Sequence, residues 1–295
     1  MGSFRSGFVA IVGRPNVGKS TLLNSMIGRK VAIVSDKPQT TRNRISGVLT
    51  GEGYQIVFVD TPGIHRPQHK LGEYMVRAAR AALTDVDLIL FTVDGRFPPG
   101  GGDRYLARIL ADVSTPVFLL VNKMDAVRDA GARLEEYSAL GEFAEVMGIS
   151  ALTGEGVREL VEKIRERLPE GPMYYPEDEV TDQPEVFIAA ELIREKVLHL
   201  TREEVPHAVA VEVTAMEERD DGLLYIGANI YVERDSQKGI IIGKGGSMLR
   251  EIGRLARQEM EGLFATRIFL ELWVKVKKDW RNREGNLHAF GYGRE

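Results

Sequence analysis

Apolar positions in the first half of the chain fall into short runs separated by helical spacing. Phe8 to Val12 is an apolar run that enters a glycine-rich turn, and Lys19 to Ile27 follows with Leu22, Leu23, Met26 and Ile27 on one helical face. Arg44 to Thr50 and Gln55 to Val59 read as two strands turned at Gly51 and Gly53. Val86 to Val93, Val117 to Val121 and Val146 to Ile149 read as three more. Helical patterns lie between them, at Leu71 to Ala82, Asp103 to Leu110, Arg133 to Leu140 and Gly156 to Leu168. Strands apolar on both faces that alternate with helices predict an α/β domain with a mainly parallel sheet.

The pattern then stops. Residues 171–183 have no period and carry prolines and an acidic run, so they read as a linker between a domain at 1–170 and another at 184–295. Beyond it come a helix from Pro184 to His199 and a strand from Ala208 to Met216, opened by Pro206. A turn at Glu217 to Gly222 leads to a strand from Leu223 to Val232. The short run Gly239 to Ile242 enters a glycine loop, a helix runs from Ser247 to Met260, and a last strand spans Arg267 to Val276. Trp273, on that strand, is expected in the core, and residues 284–295 carry little pattern.

Composition is that of a globular chain. No run of 18 apolar residues spans a membrane. A cleavable leader is not expected, because it would consume the first glycine motif. Without cysteine, disulfides and thiolate metal sites are excluded, which suits a reducing, cytoplasmic setting. The net charge of −4 is unevenly spread: Lys238 to Arg283 holds 11 Lys or Arg against 5 Asp or Glu, a net +6, so the remainder carries −10. A basic segment on an acidic body points to a local polyanion site.

The chemistry is carried by motifs at strand ends. Gly13-Arg14-Pro15-Asn16-Val17-Gly18-Lys19-Ser20, followed by Thr21, is a phosphate-binding loop set between strand and helix. Its amides and the helix N-terminus suit phosphate, Lys19 suits the β and γ phosphates, and Ser20 suits Mg2+. Asp60-Thr61-Pro62-Gly63 follows an apolar strand. Its carboxylate fits the magnesium sphere, and the Gly63 amide fits a γ phosphate. Asn122-Lys123-Met124-Asp125 follows another strand. The Asp125 carboxylate can accept from guanine N1–H and the 2-amino group, donors that adenine lacks. Asn122 and Lys123 brace the base and the loop, and Ser150-Ala151-Leu152 offers backbone to guanine O6. Together these predict binding of GTP or GDP with Mg2+.

In the second domain Gly239-Ile240-Ile241-Ile242-Gly243-Lys244-Gly245-Gly246 precedes a helix. The GxxG spacing and the element order match a type II KH domain, which clamps an RNA backbone. Lys238, Gly239, Lys244 and Arg250 are candidate RNA contacts, Lys244 to phosphate, and Arg250, Arg254 and Arg257 share a helix face that adds positive potential. Some of Ile240, Ile241 and Ile242 are expected to line an apolar groove for bases.

The four nucleotide motifs resemble those of translation-factor-like small GTPases. The segment Gln39-Thr40-Thr41-Arg42, with the carboxy-terminal KH pattern, narrows the resemblance to the bacterial Era GTPases. The resemblance implies that Thr41 is the magnesium ligand sensing the γ phosphate, with Thr40 as the alternative, so the metal set would be Ser20, Thr41 and Asp60. It implies slow hydrolysis assisted by Lys19, Thr41, Gly63 and Asn16. Ile64 stands where a Ras-like enzyme has its water-orienting glutamine, and Asn16 is the residue that potassium-stimulated relatives carry, which adds K+ to the cofactors. It further implies binding of 16S rRNA near its 3′ end, assistance to maturation and assembly of the 30S subunit, a monomer, and loose inner-membrane contact in some relatives, although no clean amphipathic membrane helix is evident. His65 reads as a surface residue of the second switch. Competing readings are a structural RNA-binding protein that merely holds nucleotide, a metabolic ATPase, and another ribosome- or tRNA-associated GTPase. Asp125 argues against the ATPase, and the KH pattern argues against other ribosomal GTPases.

Overall fold

The computed structural model describes residues 4–64, 67, 69–220 and 222–292. The chain divides into two units, one of residues 1–34, 41–68 and 72–182, the other of residues 35–40, 69–71 and 183–295.

In the first unit the elements run β1 (Arg5–Val12), α1 (Lys19–Ile27), β2 (Ile45–Gly51), β3 (Tyr54–Asp60), α2 (Lys70–Ala81), β4 (Leu88–Asp94), α3 (Gly101–Ala111), β5 (Val117–Asn122), α4 (Ala130–Ser138), β6 (Glu145–Gly148) and α5 (Val157–Arg167). The six strands lie in the order β2-β3-β1-β4-β5-β6, and only β2 is antiparallel to its neighbour. β4 and β5 are buried along their whole length, as continuous apolar strands in the middle of a doubly covered sheet must be. β1 sits between β3 and β4, so the loops leaving β1, β3 and β5 emerge at one edge of the sheet, where open α/β sheets bind ligands.

The proline-rich segment 171–183 has neither helix nor strand, in keeping with its lack of period. It is nevertheless anchored. The Gln55 side chain, fully buried, accepts from the Tyr174 and Tyr175 amides at 2.7 and 3.0 Å and donates to the Tyr175 carbonyl at 2.9 Å. Val48 N donates to Val180 O at 2.9 Å, and Thr181 Oγ1 donates to Ser46 O at 2.7 Å. Composition marks the segment as unable to form an element of its own. It does not reveal that a neighbouring strand can satisfy its backbone.

The second unit holds α6 (Glu185–Leu200), α7 (Val205–Ala208), β7 (Ala210–Glu218), β8 (Leu223–Val232), α8 (Asp235–Ile242), α9 (Ser247–Phe264), β9 (Arg267–Val276) and α10 (Glu284–Ala289). Its sheet has the order β7-β8-β9, antiparallel then parallel, with β9 at an edge. Two expectations change. Pro206 belongs to the first turn of α7 rather than to a strand, because a fixed φ and a missing N–H suit a helix start. Trp273 is not core: it is 41% exposed, while Trp280 is fully buried. The Trp280 indole donates to Ala208 O at 2.8 Å and packs edge-on against Phe290 at 5.3 Å. The pattern-poor end of the chain thus forms α10 and closes this part of the core.

Candidate functional site

In the first unit the motifs converge at the strand ends. The phosphate loop leaves β1 and passes directly into α1. Asn16 in the loop is exposed with φ 63°, and Val17 is buried as its inner anchor. Lys19 is buried; among the described residues its Nζ is hydrogen-bonded to two carbonyls, Gly13 O at 3.3 Å and Arg14 O at 3.1 Å. Burial pulls its pKa down to about 8, against the pull of Asp60. Among the described residues this ammonium is held by carbonyls and forms no ion pair, and a phosphate would supply one. The Arg14 side chain turns away and pairs with Asp103 of α3 at 2.6 Å.

Three oxygens meet beside Lys19. Ser20 Oγ lies 2.7 Å from Asp60 Oδ2 and 2.7 Å from Thr41 Oγ1, and Thr41 Oγ1 donates to Asp60 Oδ2 at 3.3 Å. Asp60 Oδ1 is buried without a hydrogen-bond partner. Burial raises the Asp60 pKa, opposed by Lys19 and by the Ser20 and Thr41 hydroxyls. Two hydroxyls and a carboxylate with an unsatisfied oxygen form the hard-oxygen donor set that Mg2+ takes next to phosphates, so the residues fit this ion. Thr40 is placed otherwise: its hydroxyl donates to Lys37 O at 2.6 Å, which favours Thr41 over the alternative.

The Asp60 motif folds back over the loop. Thr61 Oγ1 donates to Ile11 O at 2.8 Å, Pro62 is buried, and Ile64 N donates to Gly13 O at 3.2 Å. Gly63 lies so close to Pro15 that a Cβ would stand 2.6 Å from the Pro15 nitrogen, so any side chain would displace one of the two loops. Ile64 is buried in the core, too apolar to orient water. His65 lies outside the described residues.

On the base side, Asn122 Nδ2 donates to Val17 O at 2.8 Å, and Lys123 Nζ reaches Asn16 O at 2.5 Å. Asp125 Oδ1 accepts from Ser150 Oγ at 2.5 Å, which aims the carboxylate. Of the Ser150-Ala151-Leu152 backbone expected at guanine O6, the Ala151 amide donates to Asn122 Oδ1 at 2.9 Å, and Leu152 is 80% exposed. Asp94 is a participant the motifs did not name. At the C-terminal end of β4 it accepts from Lys123 Nζ at 2.8 Å and from Arg96. Its partial burial pushes the carboxyl pKa up, and these bonds bring it below the ordinary value. The rule that singled out Asp60, a carboxylate at a strand end, applies equally to Asp94.

In the second unit the loop after α8 takes backbone angles that side chains resist: φ is 71° at Gly243, 58° at Gly245 and 78° at Gly246. Arg250 Nη2 donates to Gly245 O at 3.0 Å and holds the loop onto α9, while Lys244 is exposed. A cleft of about 600 Å³ opens beside the loop, between α9 and β9. Leu249, Gly253, Leu270 and Leu272 form its apolar part, and Arg250, Arg254 and Arg257 its basic rim, with Glu271 in the lining and Arg254 and Arg257 paired to Glu251 and Glu261. Ile240 to Ile242 are not in this lining. Ile241 is fully buried and Ile240 is exposed, because α8 meets the core through Ile241. Lys238 and Gly239, on the same helix, are also outside the lining. Gly253, a glycine inside an otherwise regular helical pattern, lies in this lining beside Leu272, where a Cβ would make only an ordinary contact at 3.5 Å.

A phosphate loop, a switch threonine, an aspartate at the base and a GxxG cleft together define a GTPase with an appended KH domain. Residues 8–123 match the family described as 50S ribosome-binding GTPase, and residues 204–281 match the KH domain family. The chain is 56% identical to GTPase Era of Heliobacterium modesticaldum over 294 residues, covering 99% of this chain and 98% of that one. Two solved structures superpose with a TM-score of 0.95 at 42% identity, each covering 99% of this chain and 100% of theirs. They are Era in complex with MgGDPNP and nucleotides 1506–1542 of 16S ribosomal RNA, and an Aquifex aeolicus Era variant bound to GDP·AlF4−. The chain belongs to the Era GTPase family, and it is a GTPase.

Proposed function

We propose that the chain is a GTP-driven switch that binds 16S rRNA near its 3′ end in the cytoplasm and assists maturation and assembly of the 30S subunit. The observation that supports this most is the full-length likeness to an Era structure holding both MgGDPNP and that rRNA segment, with a nucleotide site and a basic GxxG cleft each formed in this chain. The family description of the first domain names the 50S subunit, but the KH domain and the Era relatives favour the small one.

The phosphate loop amides and Lys19 bind the β and γ phosphates, Asp125 selects guanine, and Asn122 and Lys123 hold the loop to the base motif. Mg2+, when bound to Ser20, Thr41 and Asp60, neutralises phosphate charge. Thr41 and Gly63 sense the γ phosphate from two switch segments. Ile64 excludes water rather than orienting it, so hydrolysis is slow unless another group supplies charge. For that role we assign K+ at Asn16. Asn16→Ala should abolish any rate gain of KCl over NaCl while GDP affinity holds; a retained potassium gain would reject the assignment. The working unit is taken as a monomer. No helix among the described residues is long and apolar enough to cross a membrane, and the function as stated needs no contact with the inner membrane.

The deciding measurement is binding of RNA spanning 16S nucleotides 1506–1542 to the full chain, with GTP analogue and Mg2+ or with GDP. Tighter binding in the triphosphate state is expected. Equal affinities would reduce the protein to a nucleotide-holding RNA binder.

A further inference from the structure

The sheet of the second unit has one covered face and one open face. Leu272 lies against Gly253 of α9, so the even-numbered residues of β9 face the helices. The odd-numbered residues point the other way, and two are large exposed aromatics: Phe269, 48% exposed, and Trp273, 41% exposed. Register places Tyr225 of β8 opposite Phe269, with the rings stacked at 6.1 Å and 21°. The Arg219 guanidinium lies over both rings, at 4.8 and 5.3 Å. Gly227 leaves a gap between Tyr225 and Trp273; a Cβ there would stand 3.0 Å from Tyr225 Oη and 3.5 Å from Trp273 Cζ3. Glu271, between the two exposed aromatics, is engaged with Tyr225 Oη at 2.9 Å. Arg267 and Lys275 flank the aromatics on the same strand and, among the described residues, form no ion pair.

We propose that this open face, centred on Phe269 and Trp273, is a second RNA surface on which unpaired bases stack while Arg267, Lys275 and Arg219 meet the phosphates. The inference rests on the RNA-binding reading of the cleft. Three observations commit it to RNA. Exposed rings flanked by cations on a sheet face, with Glu271 tied to the Tyr225 hydroxyl and Glu217 opposite Tyr225 as acids of that face, match the chemistry of base stacking, which any base satisfies. β9 is the edge strand and carries both surfaces, so a strand leaving Leu270 and Leu272 in the cleft need only turn around that edge to reach Phe269 and Trp273. A GxxG loop clamps about four nucleotides, whereas the RNA held by the similar Era structure runs from 1506 to 1542. Most of such an RNA lies beyond what the loop clamps, so chain is available to reach a second surface.

The test uses the full chain with GTP analogue and Mg2+ and two labelled RNAs. One spans 1506–1542. The other is the tightest-binding of a set of pieces of about six nucleotides tiled across it, sized to the cleft. The Phe269→Ala/Trp273→Ala double variant should bind the short piece as the parent does and the long RNA about tenfold more weakly. Trp273→Tyr should keep most of the long-RNA affinity. Trp273 emission should be quenched by the long RNA alone. Gly246→Asp, in the loop, should weaken both RNAs. Unchanged long-RNA binding in the double variant would overturn the proposal and leave the face to a protein partner, with the cleft reading intact. Equal weakening of both RNAs would overturn it as well, marking the aromatics as structural. A parent protein that binds neither RNA would instead sink the cleft reading, and this one with it.

Discussion

Asp125 shows how much one side chain decides. Its Oδ1 is aimed by Ser150, and its other oxygen remains for the base. Asp125→Asn turns one acceptor into a donor, so it rejects the guanine 2-amino group and welcomes the xanthine 2-oxo group. GTP affinity should fall about a hundredfold, because the guanine 2-amino group then meets a donor in place of its acceptor. XTP should become the preferred substrate in competition binding and turnover. The type of residue and its place after an apolar strand make this role an expectation of the sequence. The Ser150 hydroxyl that orients it is not, because the two positions lie on different loops that only the sheet brings together. Trp273 and Trp280 make the same point in reverse. Both are tryptophans near a strand in a mixed pattern, and only packing decides which is core.

At the scale of elements, two segments without regular structure each lean on a buried side chain. Gln55 on β3 satisfies three backbone groups of residues 174–175. Gln55→Ala leaves them unpaired and should cost about 2–3 kcal/mol in denaturant unfolding. Faster amide exchange confined to residues 171–182 should accompany it. Residues 35–40 cluster in the second unit, where the fully buried Arg194 of α6 donates to the Thr40 carbonyl and pairs with Glu191 at 2.6 Å. Thr40 is joined to Thr41, whose hydroxyl meets Ser20 and Asp60. Arg194→Ala should therefore loosen this segment and weaken GTP-analogue binding several-fold, with GDP binding little changed. A parallel loss of both would mean general unfolding, which a thermal melt would register. The periods that predicted the helices and strands could not predict these clamps. A glutamine in a strand and an arginine in a helix look like ordinary solvated residues until the fold buries them.

For the whole molecule, charge is the quantity the chain distributes. The segment Lys238–Arg283 carries net +6 within a chain of net −4, and it contains the GxxG loop and the basic rim of the cleft. RNA affinity should therefore fall steeply with salt. Lys244→Ala should lessen the log–log slope by about 0.7, the share of one single-stranded phosphate contact. Nucleotide affinity should show no such dependence on Lys244, since that residue belongs to the other unit.

The sequence by itself determined the two-domain order, the strand-loop-helix placement of every nucleotide motif, the choice of guanine and the GxxG turn. Each of these rests on neighbours a few residues apart, where period, glycine and strand-end chemistry act locally. The tertiary structure alone decided which threonine joins Ser20 and Asp60, that Asp94 holds Lys123, and that the cleft is walled by Leu249, Leu270 and Leu272 rather than by Ile240 to Ile242. It also decided that one face of β9 is left open. These outcomes depend on residues far apart in the chain meeting across a sheet. Burial and pairing there are set by which elements happen to cover which face, and no local pattern encodes that.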